Sequence, residues 1–316
     1  MMKKINDIIG DAKTIGIAGH VRPDGDCMGS CMSLYNYLKK NRPDLDVRVF
    51  LEFVDKKFNI IENTDQIITT GYDGTKFDLF ISLDTASLDR LGLNLPFYEN
   101  AKRTACIDHH ASNDGYADYN YILPKASSAS EVLYDLLDED LIDKSIAEPM
   151  YMGIAHDSGV FRFQSTTPKT MRIAANMIEK GVNVNMILEE TFFRKTYNQM
   201  MVTAKIQSEA VLALDGKCIY GYCTSEMMEE YGVTTKDLDA VVASIRNVDG
   251  VEVAMFLYQL SEDSYKVSLR SKNYVDVSKI AVENGGGGHV RAAGAEIHGK
   301  LNDIINKLHN RIKQDI

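Results

Sequence analysis

Short apolar runs that end in acids or histidines punctuate the first half of the chain. Thr14-Ile15-Gly16-Ile17-Ala18-Gly19 leads into His20-Val21-Arg22-Pro23-Asp24-Gly25-Asp26, where Pro and Gly interrupt the run and predict a strand followed by a loop. Behind Gly29-Ser30, the positions Met32, Leu34, Tyr35 and Leu38, with Lys39-Lys40 at the end, predict an amphipathic helix. Alternation of Val47, Val49, Leu51 and Phe53 predicts a strand from Asp46 to Phe53. Asp78-Leu79-Phe80-Ile81-Ser82-Leu83-Asp84 predicts another, buried on both faces and ending in an acid, and Thr104 to Asp108 a fourth, running into His109-His110. Strands at intervals of roughly 30 residues with helical patterns between them predict right-handed βαβ units and a mostly parallel sheet.

From Ser130 the pattern turns helical. Val132, Leu133, Leu136 and Leu137 mark one segment, Met150 to Ala155 after Pro149 a second, and Lys169 to Lys180, stopped by Gly181, a third. Asn183 to Phe193 and Tyr197 to Leu214 continue the helical pattern. Strands return at Lys217 to Cys223, Val251 to Gln259 and Tyr265 to Arg270, and a final helix starts at Leu301. This predicts an α/β chain with a larger domain over 1–185, a helical connector over 186–213 and a smaller α/β domain over 214–316.

Composition narrows the class. The 316 residues are 45% hydrophobic and 25% charged, ordinary values for a globular protein with a sizeable core. A net charge of -10 argues against a broad basic surface for long nucleic acid, but leaves room for a small anion held by a few cations. Five cysteines without a CxxC pair suggest neither a disulfide framework nor a zinc ribbon, and fit a reducing cytoplasm. Met1-Met2-Lys3-Lys4-Ile5-Asn6-Asp7 has no apolar run for a signal peptide, and no stretch approaches the roughly 18 apolar residues of a membrane span.

The acids and histidines carry the chemistry. Asp24 and Asp26 are two apart around Gly25, so their carboxylates can face one side of a turn, although Pro-Asp-Gly is also an ordinary surface turn. Asp84 and Asp157 read alone as caps or turn formers. Together His20, Asp24, Asp26, Asp84, Asp108, His109, His110 and Asp157 fall at predicted strand ends or in segments able to fold over them. Oxygen-rich ligation with some imidazole suits manganese, magnesium or iron, and the set exceeds what one ion needs. A pair of ions sharing a carboxylate can bring a water's pKa toward about 7 and neutralise phosphoryl oxygens, which points to phosphoester hydrolysis. The glycines at 285–288, followed by His289 and Arg291, predict an anion-binding loop in which backbone amides approach a phosphate unobstructed.

Five motifs in order carry a resemblance: Gly19 to Asp26, Leu83-Asp84, Asp108-His109-His110, Gly153-Ile154-Ala155-His156-Asp157-Ser158-Gly159, and the Gly run ending in His289. The chain resembles the DHH phosphoesterase superfamily with its DHH-associated C-terminal domain, in particular the nanoRNase and pAp phosphatase group related to RecJ-type exonucleases. That resemblance implies two divalent ions, with manganese expected. His20, Asp24 and Asp84 would hold one; Asp26, Asp84, His109 and Asp157 would hold the other, with Asp84 bridging. Asp108 would orient the histidines, and His110 would meet the scissile phosphate. Arg270, Ser271, Gly287, Gly288, His289 and Arg291 would bind the substrate's far end. The implied substrates are very short RNA oligonucleotides and pAp. Cys27 stands where alanine is frequent in the family, and His156 where many members carry a small or hydroxyl residue.

Two other readings share these residues. A phosphodiesterase for pApA or cyclic di-AMP needs the same catalytic set, and a nucleotide sensor or RNA-binding module would hold metal without turnover. Every expected ligand is present, which favours an enzyme. A homodimer is left open, as is whether Phe161-Arg162-Phe163 stacks on a base.

Overall fold

The apolar runs of the first half assemble into a parallel sheet. Helix α1 (Ile5–Ile9) precedes β1 (Thr14–Ala18), and α2 (Gly25–Asn41) crosses to β2 (Asp46–Phe50). β3 (Leu79–Leu83), α3 (Leu95–Glu99), β4 (Thr104–Asp108) and β5 (Tyr119–Ile122) follow. The computed structural model describes residues 4–238 and 241–316, so the first three residues of the polar N-terminal segment lie outside it. Among the described residues the strands pair in the order β2-β1-β3-β4-β5, all parallel. The order switches direction between β1 and β3, and ligands of open α/β sheets bind outside the carboxyl ends of strands at such a switch point.

Two strand expectations need correction. β2 stops at Phe50, because Leu51 already leaves the ladder to donate to the Ile68 carbonyl at 3.1 Å, and Phe53 is exposed. β5, Tyr119-Asn120-Tyr121-Ile122, escaped the apolar pattern because it lies half-exposed at the sheet edge.

Helices α4 (Ala129–Leu136), α5 (Lys144–Asp157) and α6 (Pro168–Glu179) complete the packing. α5 starts well before Pro149, which cannot donate to the Ser145 carbonyl. Asn36 on α2 supplies the missing bond, its Nδ2 donating to Ser145 O at 2.9 Å. The two helices meet at glycines: a Cβ on Gly29 would stand 2.5 Å from the Pro149 carbonyl oxygen and 2.8 Å from the Gly153 Cα. Ile15, Ile17, Met28, Met32, Leu83, Ile107, Met150 and Ile154 are part of the main core, while Phe50, Phe77, Phe80 and Phe97 form a separate aromatic cluster.

Helix α7 (Val184–Leu188) runs into a π-helical turn over Glu189–Phe193. The chain divides into two compact units, Met1–Arg194 and Lys195–Ile316. In the second, α8 (Tyr197–Ser208), β6 (Val211–Ala213), β7 (Cys218–Cys223), α9 (Ser225–Tyr231), α10 (Val241–Ile245) and β8 (Val253–Ser261) are followed by β9 (Ser264–Ser271), α11 (Val277–Val282), β10 (Gly287–His289), β11 (Ala292–His298) and α12 (Leu301–Ile312). Among the described residues the strands order as β10-β11-β9-β8-β7-β6, antiparallel except for the β7–β8 pair.

The helix expected to reach Leu214 ends at Ser208, since Val211 to Ala213 pair with β7 instead. The glycine run is not an open loop either. Gly287 to His289 form a strand against Gly294 to Ala292, and side chains at Gly286 or Gly288 would collide with that partner's backbone. Glycine is required there by close strand approach.

Candidate metal centre

Each strand of the switch region delivers polar groups at its carboxyl end. His20 follows β1; its Nδ1 lies 2.7 Å from the Val21 carbonyl, which fixes that nitrogen as the donor and turns Nε2 toward Asp24 Oδ1 at 3.8 Å and Asp84 Oδ2 at 3.5 Å. Asp24 caps α2, its Oδ1 accepting from the amides of Asp26 and Cys27 at 3.0 and 3.1 Å. Asp26, in the first turn of α2, is 1% exposed. The amides of Ala129 and Ser130, at the start of α4, donate to its two oxygens at 2.5 and 3.0 Å. A helix N-terminus thus offsets part of its charge.

Asp84 terminates β3 with φ 52°, a left-handed conformation that Asp tolerates better than most residues. Across the site, His109 Nδ1 faces the Ala126 carbonyl at 3.4 Å, and Nε2 lies 3.5 Å from both Asp84 Oδ1 and Asp157 Oδ2. Asp157 is the last residue of α5. His110 Nδ1 lies 2.8 Å from Asp108 Oδ1 and 3.7 Å from Asp84 Oδ1.

The donors fall into three overlapping groups with ligand atoms within 4.8 Å of one another: His20, Asp24 and Asp84; Asp26, His109 and Asp157; and Asp84, His109 and His110. Asp84 is common to two of them. Imidazole lone pairs aimed at carboxylates repel unless a cation or proton stands between, and both backbone-anchored histidines adopt that arrangement. Asp84 Oδ1 is buried and accepts no hydrogen bond among the described residues. Burial and the neighbouring Asp84 charge push Asp26 up to about 7, and burial with several acids around it raises Asp157 well above the carboxylate range. Burial opposes the His109 imidazolium, yet Asp84, Asp157 and Asp26 outweigh it and lift the ring to about 10. Such a set, short of positive charge, fits divalent cations.

Sequence reasoning missed three supports. Asn113 Nδ2 donates to Asp108 Oδ2 at 2.7 Å and to the Thr85 carbonyl at 3.1 Å, fixing the carboxylate that in turn holds His110. The Ala129 and Ser130 amides carry no side-chain signal. Thr191, whose Oγ1 lies 2.8 Å from His156 Nε2, is far away in the chain. The signal available for Asn113 was its place five residues beyond Asp108 in a polar turn.

In the second unit, Arg270, Ser271, Gly288, His289 and Arg291 gather where β9, β10 and β11 meet: His289 pairs with Ala292, and Ala292 with Arg270. The guanidinium of Arg291 is engaged locally, Nη1 donating to Val275 O at 2.8 Å and Nη2 to Asn273 O. Arg291 thus ties the turn after β9.

A parallel sheet of this order with histidines and aspartates at its carboxyl ends is the framework of a metal-dependent phosphoesterase, and the comparisons place it. Residues 14–154 match the DHH family, N-terminal domain, and residues 215–314 match the DHHA1 domain; the chain belongs to the DHH family. More particularly, it is 32% identical over 313 residues to the bifunctional oligoribonuclease and PAP phosphatase NrnA of Thermus thermophilus, covering 96% of this chain and 90% of that one. The Bacillus subtilis protein of the same name is 28% identical, with 90% of each chain covered. An exopolyphosphatase-related protein from Bacteroides fragilis shares the fold, with a TM-score of 0.89 at 23% identity over 98% of this chain and 95% of that one. Among the described residues no helix is long and apolar enough to cross a membrane.

Proposed function

We propose that this protein is a metal-dependent hydrolase that cleaves very short RNA oligonucleotides to mononucleotides and pAp to AMP. The convergence of His20, Asp24, Asp26, Asp84, His109 and Asp157 in overlapping groups of metal-ligand atoms carries this reading, and the relatives named as oligoribonucleases and PAP phosphatases support the substrate class. His20, Asp24 and Asp84 would hold one divalent ion and Asp26, Asp84, His109 and Asp157 a second, with Asp84 shared and manganese the expected metal. Bound there, such ions supply a nucleophilic water at neutral pH and offset charge on the phosphoryl oxygens.

The remaining steps belong to the chain. Val21 and Ala126 carbonyls fix the His20 and His109 tautomers, and the α4 amides keep Asp26 in place. Asp108, steadied by Asn113, orients His110 through Nδ1, so that the ring's far edge can contact the phosphate and pass a proton to the leaving oxygen. Arg270, Ser271, Gly287, Gly288, His289 and Arg291 are proposed to contact the part of the substrate remote from the scissile bond. The free cysteines fit a reducing cytoplasm.

A panel of pAp, pApA, short RNAs and cyclic di-AMP with manganese, compared by kcat/KM, tests the reading. Short RNA and pAp should lead, and Asp84→Ala should abolish turnover of every one. A best rate on cyclic di-AMP would replace the substrate assignment, and metal binding without any turnover would replace the enzyme with a sensor.

A further inference from the structure

His156 stands one residue before the candidate ligand Asp157, and its surroundings show what it connects. Its ring packs against the start of α2, where Asp24 and Asp26 lie: a Cβ on Gly25 would come within 2.1 Å of the His156 Cγ. On its other side Nε2 meets Thr191 Oγ1 at 2.8 Å. The Thr191 hydroxyl gives its proton to the Ile187 carbonyl at 2.7 Å, so it accepts from His156 Nε2–H. One imidazole therefore connects the metal-ligating loop to the π-helical turn Glu189–Phe193.

That turn presents aromatic rings beside the site. Phe192 meets His156 edge-on, with centroids 5.3 Å apart at 82°, and Phe193 meets Phe192 at 5.1 Å and 77°. Phe58 also approaches His156, with centroids 6.0 Å apart, and carries the Lys57 ammonium 5.0 Å above its ring. Phe58 is buried, whereas Phe192 and Phe193 are 38% and 50% exposed. Two adjacent phenylalanines left in water, one imidazole away from phosphate-binding chemistry, lose apolar burial that a core position would have provided. π-turns cluster at functional sites, and exposed aromatic rings serve as platforms on which the bases of single-stranded nucleic acid stack.

We propose that Phe192 and Phe193 form a stacking platform for a nucleobase of the substrate, positioned against the Asp24–Asp26 loop by His156 and Thr191. This rests on the phosphoesterase reading and adds to it a base-recognition element inside the first unit. The platform is sequence-tolerant, because every base offers a π face, and it favours nucleotides over phosphoesters lacking a base.

The test compares kcat/KM for a dinucleotide with that for the same dinucleotide lacking its bases, in the full-length manganese-loaded protein. Replacing both rings, Phe192→Leu with Phe193→Leu, should lower the preference for the base-bearing substrate about tenfold. Phe193→Trp should retain or raise that preference. Should the double variant not fold, Phe193→Leu alone, at a half-exposed position, gives the readout. An unchanged preference in variants that still hydrolyse both substrates overturns the platform and leaves the phosphoesterase standing. A wild-type protein that hydrolyses neither substrate overturns both.

Discussion

At the scale of single residues, the site depends on groups that touch no ligand. Asp108 is wholly buried, and burial works against its carboxylate; hydrogen bonds from His110 and Asn113 outweigh that and hold its pKa low. Removing the Asn113 amide leaves a buried acceptor short of a donor, at a cost of about 1–3 kcal/mol. Asn113→Ala should lower Tm and, because His110 loses its aim, reduce kcat on pAp more than it changes KM. Asn113→Asp should be worse, since a second negative charge would face Asp108. Melting curves and steady-state kinetics on the two variants check this, and an unaltered kcat in Asn113→Ala would remove Asn113 from the positioning role. The clustered acids and histidines were legible in the sequence because few side chains can hold a hard cation. The supports were not: an asparagine in a turn looks like any other, and the amides of Ala129 and Ser130 that hold Asp26 belong to the backbone.

At the scale of elements, β1 to β4, β7 to β9 and the main helices followed from apolar patterning because each buries a face against a core, whereas the edge strand β5, the short β6 and β10, and β11 did not. What the pattern could not convey was how closely α2 and α5 approach. Glycine at 29 lets the α5 backbone come near, and glycine at 153 leaves room for Ser130 Oγ and Asp26 Oδ1, which a Cβ would meet at 2.1 and 2.7 Å. This contact sets the distance between the start of α2 with Asp26 and the end of α5 with Asp157. Overpacking it costs about 1–3 kcal/mol, and here the cost falls on the ligands. On the proposed function, Gly153→Ala should weaken manganese binding, measured by calorimetric titration, by more than the accompanying fall in Tm would suggest, because the added methyl presses directly on the Asp26 carboxylate. Gly29→Ala, which meets the Pro149 carbonyl, should lower Tm by parting the helices. Manganese affinity equal to wild type in Gly153→Ala would show that Asp26 is not confined as the packing requires. Pro149 misled the pattern for a related reason: the donor that replaces its N–H is Asn36, distant in sequence.

At the scale of the whole molecule, each apolar core belongs to one unit: the cores around Ile17 and Phe80 in the first, those around Val267 and Ile206 in the second. Among the described residues the candidate metal-binding groups lie in the first unit, so on the proposed function manganese at a hundredfold excess over its Kd should stabilise that unit by about 2.7 kcal/mol. Calorimetric melting with and without manganese should therefore show an upward shift of one transition and not of the other. The second unit has a separate handle in Glu252. Burial disfavours this carboxylate, but the amides of Val275, Tyr274 and Asn273 donate to it and lower its pKa in the folded state. A lowered pKa means that the bonds contribute fully above the unfolded glutamate's value of about 4.3 and fade as pH falls through the folded one. Glu252→Gln should accordingly be less stable than wild type at pH 7, by about 1–2 kcal/mol for a lost charged acceptor, and the difference should shrink below about pH 4. The transition it moves should be the one that manganese leaves in place. If manganese and Glu252→Gln shift the same transition, the two units unfold as one, and the separation of their cores does not translate into separate stabilities.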